Sequence, residues 1–442
     1  MTAGREEANG FSVQQRRLAV EELDKRRLYR MPWSMNDNPI GWLETTDKCN
    51  IYCLGCYRQQ IAGHKPLDEL KEDILFFKRW RKVYNISIAG GEPILHPDIV
   101  EIVAFIRQQG MEALVLSNGH ALTRELLVEL KKAGALGIAF HVDSLQKRGP
   151  RWNGKTEAEL NELREELMEL VASVPGLYCN FGMTVYRSNF DQINDVVRWG
   201  NKHIDRVHGL VFITFRAAGL DTGVDYYTPA GEKVQPADLG YALEREKAED
   251  AGVTSRDVWA KIRSEFPHYD ASAYLGGTQR HDSIKWLMGV QIGLAGGHML
   301  GSIGPRLMEA AQVWHHWFKG TYLTYRRSNR VGRTVFLTGL FDEPVRRAWR
   351  EYVRTVIRKP LLLFSPVYMQ SIGIVQAPDL LPDGRVDMCD SCPDMCVFNG
   401  TLINSCRMDE WRLYGGYLRP QYQTGQEAPE EEEEHEKVLE GV

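Results

Sequence analysis

Between residues 40 and 215, short β-rich apolar runs alternate with longer amphipathic stretches, and this alternation is the strongest structural pattern in the chain. The runs 41–46, 85–89, 113–117, 137–142, 180–186 and 209–215 read as six strands. Helices are predicted between them over 67–80, 98–109, 123–133, 156–171 and 191–201. A helix between every two strands leaves each pair of strands parallel, so an α/β fold with right-handed crossovers is expected.

Outside this core the pattern changes. Over 11–29, Leu18, Val20, Leu23 and Leu28 lie among many charges, which predicts an amphipathic helix in a lead-in of 1–38. Its charges read as a solvated face, with contact to a membrane surface as the lesser alternative. The core is assigned 39–220 and a mostly helical substrate or cover region 221–380, with His315, His316 and Trp317 on a helix. Within that region 286–305 has no formal charge, and Gly289, Gly293, Gly297 and Gly301 recur at every fourth position. On a helix they would form one smooth stripe suited to close packing, but so many glycines, with Gln291 and His298, argue against a membrane span. Buried or loop-like packing beside the active site is expected, with a wall for an apolar substrate as the alternative.

Chemistry enters with Cys49-Asn50-Ile51-Tyr52-Cys53-Leu54-Gly55-Cys56, a CxxxCxxC spacing placed just after the first predicted strand. Soft, anionic thiolates suit iron-sulfur clusters, and three of them can ligate three irons of a 4Fe-4S cubane while the fourth iron takes another ligand. Taken alone, the trio also fits zinc with a distant fourth ligand, or buried packing. After the second strand comes Ile88-Ala89-Gly90-Gly91-Glu92-Pro93, where adjacent glycines permit close backbone approach and a carboxylate is available to an ammonium group. Both motifs fall at the carboxyl ends of strands, where parallel α/β folds bind ligands.

Together, CxxxCxxC and GGEP in this order resemble the radical S-adenosylmethionine (radical SAM) superfamily. The resemblance implies a partial (βα)6 TIM-like barrel, with Cys49, Cys53 and Cys56 as iron ligands and Gly90, Gly91, Glu92 and Pro93 in the SAM site. By position at strand ends, Asn118 and Asp143 are added as SAM contacts, although Asn118-Gly119 is also a turn signal and Asp143-Ser144 a helix cap. His141, Arg187 and Asn189 are weaker candidates of the same kind. The residue before the third cysteine is often aromatic in the family and is Gly55 here. The implied reaction is reductive cleavage of SAM to a 5′-deoxyadenosyl radical, which takes hydrogen from an unidentified substrate, a peptide or an apolar lipid-like molecule. A low-potential donor such as ferredoxin or flavodoxin would supply the electron. A non-catalytic iron-sulfur carrier or scaffold is the alternative, disfavoured by the retained GGE turn.

Of eight cysteines, seven fall in two tight groups, which suits metal ligation better than disulfides and implies a reducing, cytoplasmic setting. Cys389, Cys392, Cys396 and Cys406 form the second group, in a small module over 381–420. Four thiolates can close a zinc site or ligate a second 4Fe-4S cluster, and the family resemblance favours the auxiliary cluster. Isolated Cys179 reads as buried packing. With 43% hydrophobic and 26% charged residues and a net charge of −5, the chain is of ordinary globular composition, and nucleic acid is disfavoured as a partner. The remainder, 421–442, contains five consecutive glutamates and reads as a disordered acidic tail.

Overall fold

The six expected strands form and pair in sequence order. In this computed structural model, which describes residues 23–58, 63–215, 224–234, 252–280, 282–381 and 384–422, the chain opens with β1 (Tyr29–Arg30), β2 (Ile40–Glu44) and β3 (Tyr52–Cys53). There follow β4 (Asn85–Ala89), β5 (Glu112–Ser117), β6 (Gly137–His141), β7 (Gln146–Lys147), β8 (Tyr178–Val185) and β9 (Gly209–Thr214). Strands β2, β4, β5, β6, β8 and β9 lie side by side and parallel, with β2 in register Ile40↔Asn85 against β4. Between them run α1 (Leu67–Trp80), α2 (Ile99–Gln108), α3 (Arg124–Ala133), α4 (Asn161–Ala172) and α5 (Ile193–Lys202).

Local chemistry fixes the helix ends. The Thr123 hydroxyl accepts from Leu126 N at the start of α3, and Gly134, at φ +100°, ends it by donating to the carbonyls of Leu130 and Lys131. The helices bury Leu70, Phe77, Ile102 and Leu130 against Ile86, Val115, Phe140 and Phe212 of the strands, making the main core. Every residue of β4 is buried, as a strand covered on both faces requires. Cys179 packs in this core, as expected.

Among its described residues, the region 221–380 contributes the α-helices α6 (Ser255–Glu265), α7 (Pro305–Lys319) and α8 (Glu343–Arg358), but also strands that the sequence pattern did not indicate, so it is not mostly helical as expected. After β10 (Val224–Tyr227) and β11 (Lys233–Val234) come β12 (Ala273–Gly276), β13 (Ile284–Leu294), β14 (His298–Ser302), β15 (Arg330–Val331) and β16 (Val367–Val375). β16 adds to β9 in parallel, β13 lies antiparallel to β16, and β12 and β1 continue outward, giving a 12-stranded sheet with β14 and β15 attached.

The uncharged segment 286–305 is therefore mainly a β-hairpin, buried along most of β13 as expected but not a glycine-striped helix. Its lack of charge follows from burial between two neighbouring strands, and its glycines serve different ends. A Cβ on Gly289 would lie 2.5 Å from the Tyr269 ring, and Gly296 and Gly297, at φ +77° and +82°, turn the β13–β14 hairpin. Among the described residues no helix is long and apolar enough to cross a membrane. Of the amphipathic segment 11–29, residues 11–22 lie outside the described residues; the rest holds a 3-10 turn at Lys25–Arg27 and β1, not an α-helix.

The carboxyl-terminal part contains the short pair β17 (Asp379–Leu380) and β18 (Val386–Asp387), then the hairpin β19 (Met395–Phe398) and β20 (Thr401–Asn404). Asn399 and Gly400, at φ +48° and +71°, form its two-residue turn. Helix α9 (Met408–Tyr414) and β21 (Arg419–Tyr422) end the described chain, β21 pairing with β10. The acidic run expected in the tail lies outside the described residues.

Candidate functional site

The three cysteines Cys49, Cys53 and Cys56 stand on the connection leaving β2, and the glycine motif leaves the adjacent β4. The two connections are stitched together by backbone: Gly91 N donates to Thr46 O at 2.6 Å and Glu92 N to Lys48 O at 2.8 Å. This contact explains both glycines. A Cβ on Gly90 would lie 2.4 Å from Thr46 O and one on Gly91 2.3 Å from Lys48 O, and Gly90 sits at φ +128°. The close approach that the glycines permit is thus to the cysteine loop itself.

Cys53 lies in β3, which pairs with β7 and brings Gln146 Nε2 to 3.4 Å from its sulfur. Asn118, at the end of β5, directs Nδ2 toward Cys49 Sγ at 3.7 Å and donates to Asn50 Oδ1 at 2.7 Å. Burial pushes all three thiols up, and for Cys53 the charges of Asp143, Cys56 and Cys49 add to it. Three buried thiols whose anionic forms are penalised in this way are a donor set suited to a cationic iron-sulfur core, which neutralises the charge that burial penalises. Among the described residues no three His, Cys, Asp or Glu side chains form a group that would hold a single metal ion.

Glu92 is fully buried. Its carboxylate accepts from Asn118 N at 2.6 Å and Ile94 N at 3.4 Å, and desolvation pushes it up to about 7. Pro93 opens the 3-10 turn that Glu92 caps. Asp143, buried after β6, accepts from Leu145 N at 3.0 Å, so it shapes a turn and does not cap a helix. Its other oxygen is 3.0 Å from Nε2 of the partly exposed His141, which also reaches Thr184 Oγ1. Asn189 braces the end of β8 through Thr184 O and Glu157, and Arg187 reaches outward to Gly252 O.

Three residues at this site were not picked out from the sequence. Arg148 is buried and donates to Asn118 O, His141 O and Gln146 Oε1, locking together the ends of β5 and β6. Tyr186 OH accepts from Gly55 N at 2.8 Å, and its ring lies against Phe215. A Cβ on Gly55 would lie 2.7 Å from that hydroxyl and 3.2 Å from the Phe215 ring, so the rings just past β8 and β9 leave no space for a larger side chain at this position. Arg58 is buried among Glu44, Asp47 and Asp409 at 3.6, 2.5 and 3.1 Å, tying the cysteine loop to α9. A basic residue two places after Cys56 gave no sequence signal of its partners, since Asp409 is 351 residues away.

In the second cysteine group Cys392 neighbours Cys389, and Cys396 neighbours Cys406. Cys392 is hydrogen-bonded to Cys389, beside the antiparallel bridge from Cys389 to Gly277. Cys396, in β19, has its sulfur 3.6 Å from Met408 Sδ, and Cys406 lies on the 3-10 turn Ser405–Arg407 next along the chain from β20. The hydrogen bond with Cys389, and after it burial, push Cys392 well up, and burial does the same to Cys396. Arg81 joins the module to the barrel, donating to Cys392 O at 2.5 Å and Pro393 O at 3.3 Å, while half-buried Asp394 is pushed up to about 7 by desolvation.

Residues 43–200 match the family model of the radical SAM superfamily. Curated relatives include an Fe-coproporphyrin III synthase of Methanosarcina barkeri, 26% identical over 30% of this chain and 34% of its own. A GTP 3′,8-cyclase of Staphylococcus carnosus is 24% identical over 53% of this chain and 69% of its own. The chain spans about half or less of the length of the first curated relatives it matches. Among solved structures, Streptococcus suis SuiB bound to S-adenosylmethionine is similar over 41% of both chains at 14% identity, with a TM-score of 0.33.

Proposed function

We propose that this chain, whose residues 43–200 match the radical SAM superfamily, is an enzyme that uses a 4Fe-4S cluster and SAM, cleaves SAM reductively and abstracts hydrogen from a substrate. The observation that carries the reading is the loop of Cys49, Cys53 and Cys56 locked by backbone hydrogen bonds to the Gly90-Gly91-Glu92 turn. When bound, the cluster supplies one electron that splits the sulfonium of SAM into methionine and a 5′-deoxyadenosyl radical.

In this reading Cys49, Cys53 and Cys56 are the iron ligands, and the strand-end residues from Gly90 to Asp143 surround SAM. Asn118 and Gln146 aim amide donors at two of the sulfurs. Such donors stabilise the more negative, reduced form of a cluster and raise its potential. Arg148 fixes the backbone from which both neighbouring loops depart. The substrate is a peptide or an apolar lipid-like molecule, and the electron comes from a ferredoxin- or flavodoxin-type donor. Cys389, Cys392, Cys396 and Cys406 are proposed as ligands of an auxiliary cluster, with zinc as the alternative.

The test is anaerobic incubation of iron- and sulfide-reconstituted protein with SAM and a low-potential reductant. The reading predicts 5′-deoxyadenosine and methionine in equal amounts; SAM that stays intact beside an intact cluster overturns it.

A further inference from the structure

The clearest surface anomaly lies well away from the cysteines in sequence. Helix α8 buries Val345, Ala348 and Tyr352 and turns the opposite pattern outward: Arg346, Trp349, Arg350, Val353 and Ile357 recur at helical spacing on one face, with Ile357 73% exposed. Two 3-10 turns flank it. Arg333–Leu340 presents Leu337 and Leu340, the latter 86% exposed, and Pro360–Phe364 presents Leu361 and Phe364 at 84% and 80%.

These elements form one unit. Phe336 packs on Trp349 and Tyr352, with ring centroids 5.3 and 5.2 Å apart. Arg333 donates to Tyr352 OH at 3.0 Å and reaches the carbonyls of Leu363 and Ser365, joining the first turn to the second. Side chains so apolar and so exposed on neighbouring elements mark an interaction surface and not ordinary scatter.

Charge identifies the partner. Residues 326–364 hold ten Lys and Arg against three Asp and Glu, in a chain whose net charge is −5. Arg347 and Arg354 are held in ion pairs with Asp270, Glu343 and Glu351. Arg346, Arg350, Arg358 and Lys359 form no ion pair among the described residues. Exposed Leu, Ile, Phe and Trp interleaved with unpaired cations on a surface helix match the acyl boundary and the anionic headgroups of a bilayer.

We propose that α8 and its two flanking turns dock this protein on an anionic lipid surface. This is not the segment at which the sequence pointed to apolar contact, since 286–305 is buried β-structure. Docking here does not depend on the chemistry proposed for the cysteine loop.

The experiment is co-sedimentation of the full chain with vesicles of phosphatidylcholine alone and of phosphatidylcholine with 30% phosphatidylglycerol, at low and high salt. The probe composition is chosen to supply about one anionic lipid in three. Wild type is expected to pellet with the anionic vesicles only, and less so at high salt. The variant Leu340→Asn/Leu361→Asn/Phe364→Asn alters only side chains that are already exposed, so its fold is retained. It should lose at least about tenfold in partition coefficient, and Arg346→Gln/Arg350→Gln should lose severalfold, most at low salt. Equal sedimentation of wild type and both variants overturns the proposal. So does a wild type that ignores vesicles yet elutes as a dimer that the triple substitution dissociates, which would make the surface an interface between copies.

Discussion

Substituting Gly91 by alanine separates two explanations of the GGE turn. The structure places the added methyl carbon 2.3 Å from Lys48 O and 2.7 Å from its carbonyl carbon, whereas a carbon–oxygen contact needs about 3.3 Å. The cysteine loop must retreat by about 1 Å, and in doing so it loosens the hydrogen bonds Gly91 N to Thr46 O and Glu92 N to Lys48 O. Two weakened backbone bonds and a local overpacking sum to roughly 2–4 kcal/mol. In a domain of this size that lowers the melting temperature by roughly 5–10 °C. Differential scanning calorimetry of cluster-free protein gives the stability, and iron analysis after anaerobic reconstitution reports whether the three thiols still converge. Gly63→Ala is the control, since nothing lies within 4 Å of its added methyl. Gly91→Ala should melt early and take up less iron at the first site. A variant that melts and loads iron like wild type, and loses only SAM affinity, would refute the steric reasoning and return the glycines to direct ligand contact.

Arg58→Met leaves Glu44 without a cation and Asp47 and Asp409 to Arg412 alone, and should cost about 3 kcal/mol in urea unfolding; an unchanged midpoint would contradict the role given to it. Glu92 is raised in the folded state to about 7 from an ordinary carboxylate value of 4.5, so its contribution to stability is present below pH 4.5 and is lost as pH rises through 7. Glu92→Gln should flatten that part of the stability–pH profile by up to about 3 kcal/mol, measured by denaturant titration of cluster-free protein from pH 4.5 to 8. Gln146→Leu removes the amide 3.4 Å from Cys53 sulfur and should lower the cluster's reduction potential with its iron content unchanged, as read by redox titration. Alanine at Cys389, Cys392, Cys396 and Cys406 together should remove about four irons per chain if that group holds a second cubane, whereas loss of zinc with iron intact selects the zinc alternative.

The barrel was legible because its signals agreed at every level. β-rich runs, amphipathic spacers and turn residues coincided, so 85–89 and 67–80 match β4 and α1 residue for residue. Both motifs could then be placed at strand ends before any contact was known. The extension of the sheet was not legible, for a physical reason. β13 is covered on both faces, so it shows no polar alternation, and Gly289 and Gly293, which make room for Tyr269 and Ile204 beneath one strand face, also satisfy a helical spacing of four. The sequence likewise named Glu92 and Asn118 but not the bond between them. Nor did it indicate Arg148, Tyr186 or Arg58, whose roles depend on partners distant in the chain. Cysteine spacing grouped Cys389 to Cys406 without revealing that Cys396 sits on a hairpin strand with its sulfur against Met408.

The most direct test of the central claim uses electron paramagnetic resonance of the reduced protein, with and without SAM, in three forms. These are wild type, Cys49→Ala/Cys53→Ala/Cys56→Ala, and the variant with alanine at Cys389, Cys392, Cys396 and Cys406. If the first cysteine loop holds the cluster that SAM binds, SAM alters the cluster signal in wild type and in the second variant, and the first variant gives no SAM-sensitive signal. A SAM-sensitive signal that survives loss of Cys49, Cys53 and Cys56 would contradict the account.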